Sequence, residues 1–380
     1  MIYEHENVRV WASLLDSNTL DQAMRAARSP AVIMPLDLMP DAHLGKGATV
    51  GSVIVTENTI MPAAVGVDIG CGMVALETTL TANDLPQSLD GFMPEVVRSI
   101  PAGVGHGHSS VSDVAAMWFN TNSNPRLSDN LRDTAAKQFG SLGSGNHFFE
   151  VCLDERDVVW LVLHSGSRGV GNKLAEGHIK VARALEQDVE DKDLAYFVQG
   201  TEEFDAYIKD MLWSQAYAAA NRARMIDSVS QAFLRWVGHG DYVQMINCHH
   251  NYSEQDSIDG RTVWVTRKGA INAEQGALGV IPGSMGAASY IVEGKGNPLA
   301  YKSAPHGAGR RLSRGAAKRE LTVENLKTQM RGKTWLEDQA QALLDESPDA
   351  YKSIDTVMND SSDLVEVQHV LHQILNYKGL

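Results

Sequence analysis

Several separate segments of this chain carry side chains that could bind metal ions. The candidates are one carboxylate, one thiol and three imidazoles: Asp68, Cys71, His147, His164 and His250. Each lies in a glycine turn or at the end of a predicted strand. This mixture of oxygen, sulfur and nitrogen ligands suits manganese, zinc or iron better than calcium. A thiolate between two ions can bridge them, so the set could form a two-metal site.

Each candidate ligand also has a purely structural explanation. A cysteine in a glycine turn is most often a core residue, and a histidine at a strand end most often hydrogen-bonds a carbonyl group. The candidates are far apart in the sequence, so their spacing alone does not predict that they cluster. At this point both interpretations stay open.

A second group with chemical potential lies in the segment 303–314. His306 is followed by glycines and arginines, namely Gly307, Gly309, Arg310, Arg311 and Arg314. Glycine lets backbone N–H groups approach a phosphate closely, and arginines bind it with paired hydrogen bonds. The segment predicts a nucleophile beside an anion site; the alternative is a loop histidine next to a solvated basic turn. Asp41 and His43 would share one side of an extended segment and could line the same pocket.

Composition predicts one soluble globular protein. With 380 residues and 43% hydrophobic content, the chain can bury a large core. No signal peptide is recognisable at the N-terminus, and the longest uncharged stretch, 276–292, is interrupted by Pro282. We therefore expect a cytoplasmic protein without membrane association. A monomer is expected, because no coiled-coil seam or apolar patch is evident.

The formal net charge of −14 argues against indiscriminate binding to nucleic acid. Binding of a polyanion would require a local basic patch, and the segment around His306 offers one. Three cysteines give no disulfide framework.

Hydrophobic patterns predict a single α/β domain over residues 1–380. Strands are expected at 51–55, 74–79, 147–153, 158–164, 242–247, 262–267 and 289–293. Helices are expected at 91–100, 173–190 and 201–237, so that 173–237 is a helical insertion. The polar segment 101–130 is predicted to be a mobile loop or lid. From Ser313 onward we expect a mainly helical C-terminal part.

Seven motifs together resemble the RtcB family of RNA ligases. They are DAHLGKG at 41–47, GVDIGCGM at 66–73, GNHFFE at 145–150, HSGSRG at 164–169, HN at 250–251, PGSMG at 282–286 and HGAGR at 306–310. They occur in order over nearly the whole chain. The resemblance implies the family's α/β fold, with central sheets wrapped by helices and the active site in a central cleft.

The resemblance also implies an activity. The family joins RNA with a 3′-phosphate or 2′,3′-cyclic phosphate to RNA with a 5′-hydroxyl, using GTP and two Mn²⁺ ions. By this resemblance Cys71 would bridge the ions, with Asp68 and His147 on one and His164 and His250 on the other. His306 would be the guanylylated nucleophile. The expected guanylate-binding residues are Asn146, Glu150, Asn251, Ser284, Ala308, Gly309 and Lys378.

Arg168 and Arg310 would act on phosphates, and Glu150 would read the guanine edge. The RNA that is joined is not implied; repair of tRNA or rRNA is favoured over splicing. A metal-dependent phosphoesterase without guanylylation is the alternative enzyme. It would not need His306, Glu150 or Lys378.

Overall fold

The computed structural model describes residues 3–185 and 187–379. Its strands are β1 (Tyr3–His5), β2 (Val8–Val10), β3 (Leu36–His43), β4 (Val50–Thr56), β5 (Thr59–Ile60), β6 (Gly72–Thr81), β7 (Phe148–Leu153), β8 (Val158–Ser165), β9 (Phe197–Val198), β10 (Tyr242–His249), β11 (Asn251–Ile258), β12 (Arg261–Lys268), β13 (Ala270–Asn272), β14 (Leu278–Pro282), β15 (Ser289–Gly294), β16 (Ser303–Pro305) and β17 (Val365–Lys378). Its helices are α1 (Ser17–Ala27), α2 (Pro62–Val65), α3 (Met93–Ser99), α4 (Asp113–Thr121), α5 (Asp129–Gln138), α6 (Arg168–Arg183), α7 (Glu202–Val237), α8 (Arg314–Glu320), α9 (Val323–Gln329) and α10 (Ile354–Asp360). The prediction of an α/β protein is confirmed.

Two large sheets form the centre of the described chain. One has six strands in the order β1-β2-β3-β4-β12-β11, and the other has seven in the order β10-β6-β8-β7-β17-β15-β14. The pairs β13–β16 and β5–β9 form two small sheets. The two outer strands of the seven-stranded sheet, β10 and β14, also contact each other, so this sheet curls.

Alternating side chains of the seven-stranded sheet fill two different cores. Val74 and Leu76 of β6 pack with Val229 and Phe233 of α7. Met73, the neighbour of Val74, lies in a separate cluster inside the curled sheet. A third core joins strands of the six-stranded sheet to β13, β14 and β15. The alternation of neighbouring β6 residues between two cores is the period-two pattern of a sheet buried on both faces.

Every predicted strand corresponds to an observed one, and the three predicted helices correspond to α3, α6 and α7. Helix α6 begins at Arg168 instead of residue 173 and ends at Arg183. Its first turn contains Gly169 and Gly171, which disguise the helix in the sequence. At Gly171 a Cβ atom would come within 1.9 Å of Ser167 Oγ, so the position has no room for a side chain.

Two predictions of local structure differ from the fold. The segment 101–130, predicted as a loop or lid, contains helix α4, with Ser112 accepting a hydrogen bond as its N-cap. Ala115 and Phe119, four residues apart, bury the apolar face of α4. The prediction of a mainly helical C-terminal part is wrong at its end, because residues 365–378 form the long strand β17 in the middle of the sheet. None of the described helices is long and apolar enough to cross a membrane.

Candidate active site

The seven-stranded sheet brings the five candidate metal ligands to one place. Cys71 directly precedes β6, His147 directly precedes β7, and His164 lies near the end of β8. In the register of the sheet, His164 is paired with Met73 on one side and with Phe148 on the other. His250 follows β10, whose last residue pairs with the first residue of β6. Residues remote in sequence therefore meet at the same end of four adjacent strands.

The side chains form two groups that share Cys71. Its Sγ lies 3.4 Å from Nε2 of His147 and 3.2 Å from Nε2 of His164. Asp68 Oδ2 lies 3.0 Å from His147 Nε2, and His164 Nε2 lies 2.9 Å from His250 Nε2. The donor atoms of Asp68, Cys71 and His147 lie within 4.8 Å of one another, as do those of Cys71, His164 and His250. This division is the one that the family resemblance implies.

Backbone carbonyl groups fix the orientation of two of the imidazoles. His147 Nδ1 donates to Leu142 O at 3.0 Å, and His164 Nδ1 donates to Asn146 O at 3.2 Å. A carbonyl oxygen only accepts, so Nδ1 is the donor in both contacts. Nε2 of His147 also faces an acceptor, Asp68 Oδ2, and a cation bound there would leave the ring proton on Nδ1. Nε2 is then free to bind a metal ion, and the carbonyl acts as the outer support usual for ligating histidines.

Burial favours the neutral form of two of the imidazoles. It lowers the pKa of His164 and of His250 well below the ordinary value, and neighbouring cationic groups act in the same direction. Burial also raises the pKa of the Cys71 thiol well above its usual range. A bound cation would reverse that effect and favour the thiolate. The residues present therefore fit a pair of divalent ions with mixed nitrogen, oxygen and sulfur ligands.

His306 follows β16 and faces this ligand group. Its ring centroid lies 4.7 Å from that of His250. Its Nδ1 lies 2.6 Å from Oδ2 of Asp41, which is completely buried. Asp41 Oδ2 also accepts the backbone N–H of His306 at 3.2 Å. The contact with Asp41 is an ion-pair distance without hydrogen-bond geometry. A proton on Nδ1, next to the carboxylate, would leave the lone pair of Nε2 available as a nucleophile.

The glycines after His306 allow this close approach. Gly309 has φ +71°, and a Cβ atom there would lie 2.1 Å from Asp41 O. The loop is therefore packed directly on β3, where only glycine fits. The prediction that Asp41 and His43 line one pocket holds for His43, which lines the cleft. Asp41 is not in the cleft lining and lies behind His306.

One cleft of about 690 Å³ contains most of the predicted site residues. Beside His306 and the ligands Asp68, Cys71, His164 and His250, it is lined by Asn146, Glu150, Asn251, Ser284, Ala308, Gly309, Arg310 and Lys378. Among the ligands, His147 is not in the lining but touches Asp68 from behind. Asn251 accepts the backbone N–H of Gly269 at 2.9 Å and so is held beside His250.

At one end of the cleft lie Glu150 and Lys378, and we call this region the Glu150 end. Glu150 is buried and accepts a hydrogen bond from Asn376 Nδ2 at 2.7 Å. Burial raises the pKa of Glu150 to about 8, although Lys378 and Asn376 oppose the rise. The ammonium of Lys378 lies over the ring of Phe148 at 5.3 Å. A buried acceptor beside a cation can recognise a polar ring that carries N–H donors.

Glu346 was not identified from the sequence, yet it connects the cations at this end. Its carboxylate contacts Lys378 Nζ and Arg314 Nη1, each at 2.7 Å, and accepts the hydroxyl of Tyr351 at 2.8 Å. Burial would raise its pKa, but Lys378 and Arg314 outweigh this, so the pKa of Glu346 is lowered. Its partners are remote in sequence, and no local motif marks it.

The two predicted phosphate-binding arginines lie in different surroundings. Arg310 lines the cleft, stacks on Tyr351 at 4.9 Å, and its Nη2 has no hydrogen-bond partner among the described residues. Arg168 is outside the cleft lining and donates to the carbonyls of Gly103 and His106. A Cβ at Gly143 would touch both Arg168 and His147, so Arg168 lies against the back of the ligand group. Its φ of 55° is unusual for a residue other than glycine.

Another part of the cleft lining was also not identified from the sequence. Helix α6 turns Glu176, Ile179, Lys180 and Arg183 toward it, at the spacing of a single helix face, and we call these four residues the α6 wall. Lys268 lies nearby and is 7% exposed. Its Nζ donates to the carbonyls of Lys46 and Ala63. Burial lowers the pKa of Lys268 to about 8.

Comparison with known proteins agrees with this geometry. The family model described as tRNA-splicing ligase RtcB matches residues 22–379. The chain belongs to the RtcB family. The family prediction from the sequence motifs is thus confirmed, and with it the RtcB-type fold and the assignment to a family of RNA ligases.

Individual members of the RtcB family cover almost the whole chain. The RNA-splicing ligase RtcB of Escherichia coli is 42% identical over 99% of this chain and 98% of its own. The RNA-splicing ligase RtcB of Mycobacterium bovis is 30% identical over 90% of this chain and 95% of its own. The tRNA-splicing ligase RtcB of Archaeoglobus fulgidus is 30% identical over 94% of this chain and 88% of its own.

Proposed function

We propose that this enzyme joins RNA ends bearing a 3′-phosphate or 2′,3′-cyclic phosphate to 5′-hydroxyl ends, with GTP and two Mn²⁺ ions. The observation that supports this most directly is that His306, both ligand groups and the Glu150 end line one cleft. A phosphoesterase would need the metal ligands alone. It would not need a histidine whose Nδ1 is held by a buried carboxylate, or a buried acceptor beside a lysine.

In the first step, Nε2 of His306 attacks the α-phosphorus of GTP and pyrophosphate leaves. Asp41 faces Nδ1–H and stabilises the positive charge that develops on the ring. Glu150 accepts hydrogen bonds from the guanine edge, and Lys378, Asn146 and Ser284 hold the rest of the guanylate. Bound cations supply charge neutralisation at the phosphates and align the leaving group.

In the second step, an oxygen of the RNA 3′-phosphate attacks the phosphorus bound to His306, and the N–P bond breaks. The RNA then ends in a diphosphate-linked guanosine. In the third step, the 5′-hydroxyl of the second RNA attacks the 3′-phosphate and GMP leaves. Arg310, whose Nη2 has no hydrogen-bond partner among the described residues, would stabilise the added negative charge. A cyclic phosphate must first be opened by water.

The substrate is RNA, and we favour a repair role on cleaved tRNA or rRNA in the cytoplasm. The local cations of the cleft, not the net charge of −14, would provide the attraction.

The test is guanylylation of the protein itself. The purified enzyme is mixed with GTP labelled at the α-phosphate and with Mn²⁺, and label retained on the denatured protein is measured. We expect label that is lost in acid and survives alkali, as a histidine phosphoramidate does. His306→Ala should remove it, whereas His369→Ala, a histidine on β17 outside the cleft lining, should retain it. Ligation without any labelled protein would contradict the proposal.

A further inference from the structure

None of the predicted guanylate residues belongs to the α6 wall. The predicted guanylate residues Glu150, Lys378 and Ser284 belong to β7, β17 and the turn after β14. The α6 wall is next to a different group of elements, because α2 contacts α6, β11 and β12. Of the predicted guanylate residues, only Asn251, at the start of β11, belongs to that group. A cleft of about 690 Å³ leaves room for a second ligand beyond one nucleotide.

The metal ligands come from both groups of elements. Asp68 is three residues beyond α2, which packs on α6. His147 directly precedes β7, the strand that carries Glu150. Since Asp68 Oδ2 and His147 Nε2 are 3.0 Å apart, the ligand group lies where the segment after α2 meets the start of β7.

Two cations of the cleft lining, one on the α6 wall and one in the segment after β3, are free to bind a ligand. Lys46 and Lys180 are exposed, and neither ammonium has a carboxylate within ion-pair distance among the described residues. Arg183 is paired with Asp193 at 2.5 Å, and Glu176 adds a second carboxylate to this end. Two exposed cations of the cleft lining are thus without carboxylate partners among the described residues, and half-buried Ile179 lines the cleft next to Lys180.

The last step of the proposed reaction sets a geometric requirement. GMP leaves from the phosphorus toward the Glu150 end, and in-line displacement places the attacking oxygen on the opposite side. We assign that side to the end formed by the α6 wall, which strands β7 and β17 do not line. Exposed lysines at that end match the phosphates of an approaching strand.

We propose that Lys46 and Lys180 bind the backbone phosphates of the RNA strand that supplies the 5′-hydroxyl. This inference rests on the proposed function, because it assigns one substrate of that reaction to one end of the cleft. The strand that carries the 3′-phosphate enters elsewhere and needs neither lysine. Ile179 offers an apolar surface to the sugar or base of the first nucleotide.

Lys180 has a simpler explanation that the experiment must separate. It lies in the last turn of α6, where a cation stabilises the helix dipole. A purely structural role would change the stability of the protein without changing the affinity for either RNA strand. Lys46 follows β3 and is in no helix, so the dipole does not explain it.

The experiment compares the three steps in the Lys46→Glu/Lys180→Glu double variant. Its matched control is Lys173→Glu, a charge reversal on an exposed lysine of the same helix outside the cleft lining. Guanylylation is followed with labelled GTP. Activation of the 3′-phosphate strand is followed with that RNA alone. The final step uses RNA that already carries the diphosphate-linked guanosine, with the 5′-hydroxyl strand varied in concentration.

We expect the double variant to raise KM for the 5′-hydroxyl strand about tenfold or more. Guanylylation and activation of the 3′-phosphate strand should equal those of the parent and of Lys173→Glu. The dependence of log KM on log salt should become shallower by about 0.7 for each lost phosphate contact. If charge reversal impairs guanylylation, the milder Lys46→Gln and Lys180→Gln variants are tested instead. In each of them KM for the 5′-hydroxyl strand should rise about threefold.

An unchanged KM for the 5′-hydroxyl strand in a variant that guanylylates normally would overturn the assignment. So would a selective loss of 3′-phosphate activation, since the α6 wall would then hold the other strand. Failure of the proposed function is recognised separately, because the parent enzyme would then form no labelled protein at all.

Discussion

Oδ2 of Asp41, a completely buried carboxylate on β3, lies 2.6 Å from Nδ1 of His306. Asp41 also accepts the backbone N–H of His306, so it holds both the ring and the loop that carries it. The two residues are 265 positions apart in the chain, and the contact depends on the packing of Gly309 against β3. Asp41 therefore positions the nucleophile from outside the cleft.

Replacing Asp41 by asparagine should slow guanylylation by about 100-fold or more, because an amide neither fixes the proton on Nδ1 nor stabilises the charged ring. The rate of label transfer from GTP to protein measures this effect. Asp37→Asn is the control, since Asp37 is another fully buried carboxylate of β3 and binds Arg9 instead. A guanylylation rate in Asp41→Asn equal to that of the control would contradict a positioning role.

Cys71→Ser should weaken the binding of both metal ions, because Cys71 belongs to both ligand groups. We expect the dissociation constant for each Mn²⁺ to rise at least about tenfold. His250→Ala should affect one ion and leave the other in place. Titration calorimetry and metal analysis after dialysis measure the two stoichiometries. Cys248→Ser changes a free cysteine outside both groups and should bind two ions; loss of only one ion in Cys71→Ser would argue against a bridging thiolate.

The candidate metal ligands could be singled out from the sequence because four of them lie in short motifs with glycine neighbours and His250 lies in the HN motif of the family resemblance. Their division into two groups follows from the register of the sheet, which pairs His164 with both Met73 and Phe148. The sequence contains no local signal for that pairing. Lys268 and Glu346 were missed for the same reason, since their importance depends on partners far away in the chain.

The error at the C-terminus has a physical cause. Strand β17 contains register shifts against β15 and again between Gln373 and Leu375. Each bulge interrupts the period-two alternation by which a strand is recognised. In 101–130, by contrast, the short helix α4 was hidden by polar residues on both sides.

GTP binding should become tighter as the pH rises toward 8. Because burial raises the pKa of Glu150 to about 8, the carboxyl group of the empty protein is protonated at lower pH. It must lose that proton to accept hydrogen bonds from guanine, so binding and ionisation are linked. The apparent dissociation constant should fall by up to about tenfold per pH unit between pH 6 and 8.

Fluorescence or calorimetric titration over this pH range measures the effect. Glu150→Gln should bind GTP more weakly and lose this part of the pH dependence, whereas Glu77→Gln, a change at a carboxylate outside the cleft lining, should keep it. Any pH dependence that the parent, Glu150→Gln and Glu77→Gln share is caused by ionisation of the triphosphate of GTP. An identical profile in Glu150→Gln would remove Glu150 from base recognition.

Lys268→Met should make the protein more stable and the enzyme less active. A pKa near 8 instead of 10.5 means that burial disfavours the ammonium by about 3 kcal/mol. Between about pH 8 and 10.5 the unfolded chain binds this proton and the folded protein does not. The stability of the parent should therefore rise with pH through this window, and that of the variant should not. Denaturant unfolding at several pH values gives the difference in unfolding free energy between the two proteins, in which the contributions of the other titrating groups cancel.

Lys268 lines the cleft without a carboxylate partner among the described residues, so we expect ligation to fall while the fold is retained. A variant that is less stable than the parent at pH 7 would show that the hydrogen bonds to Lys46 and Ala63 outweigh the cost of the buried charge.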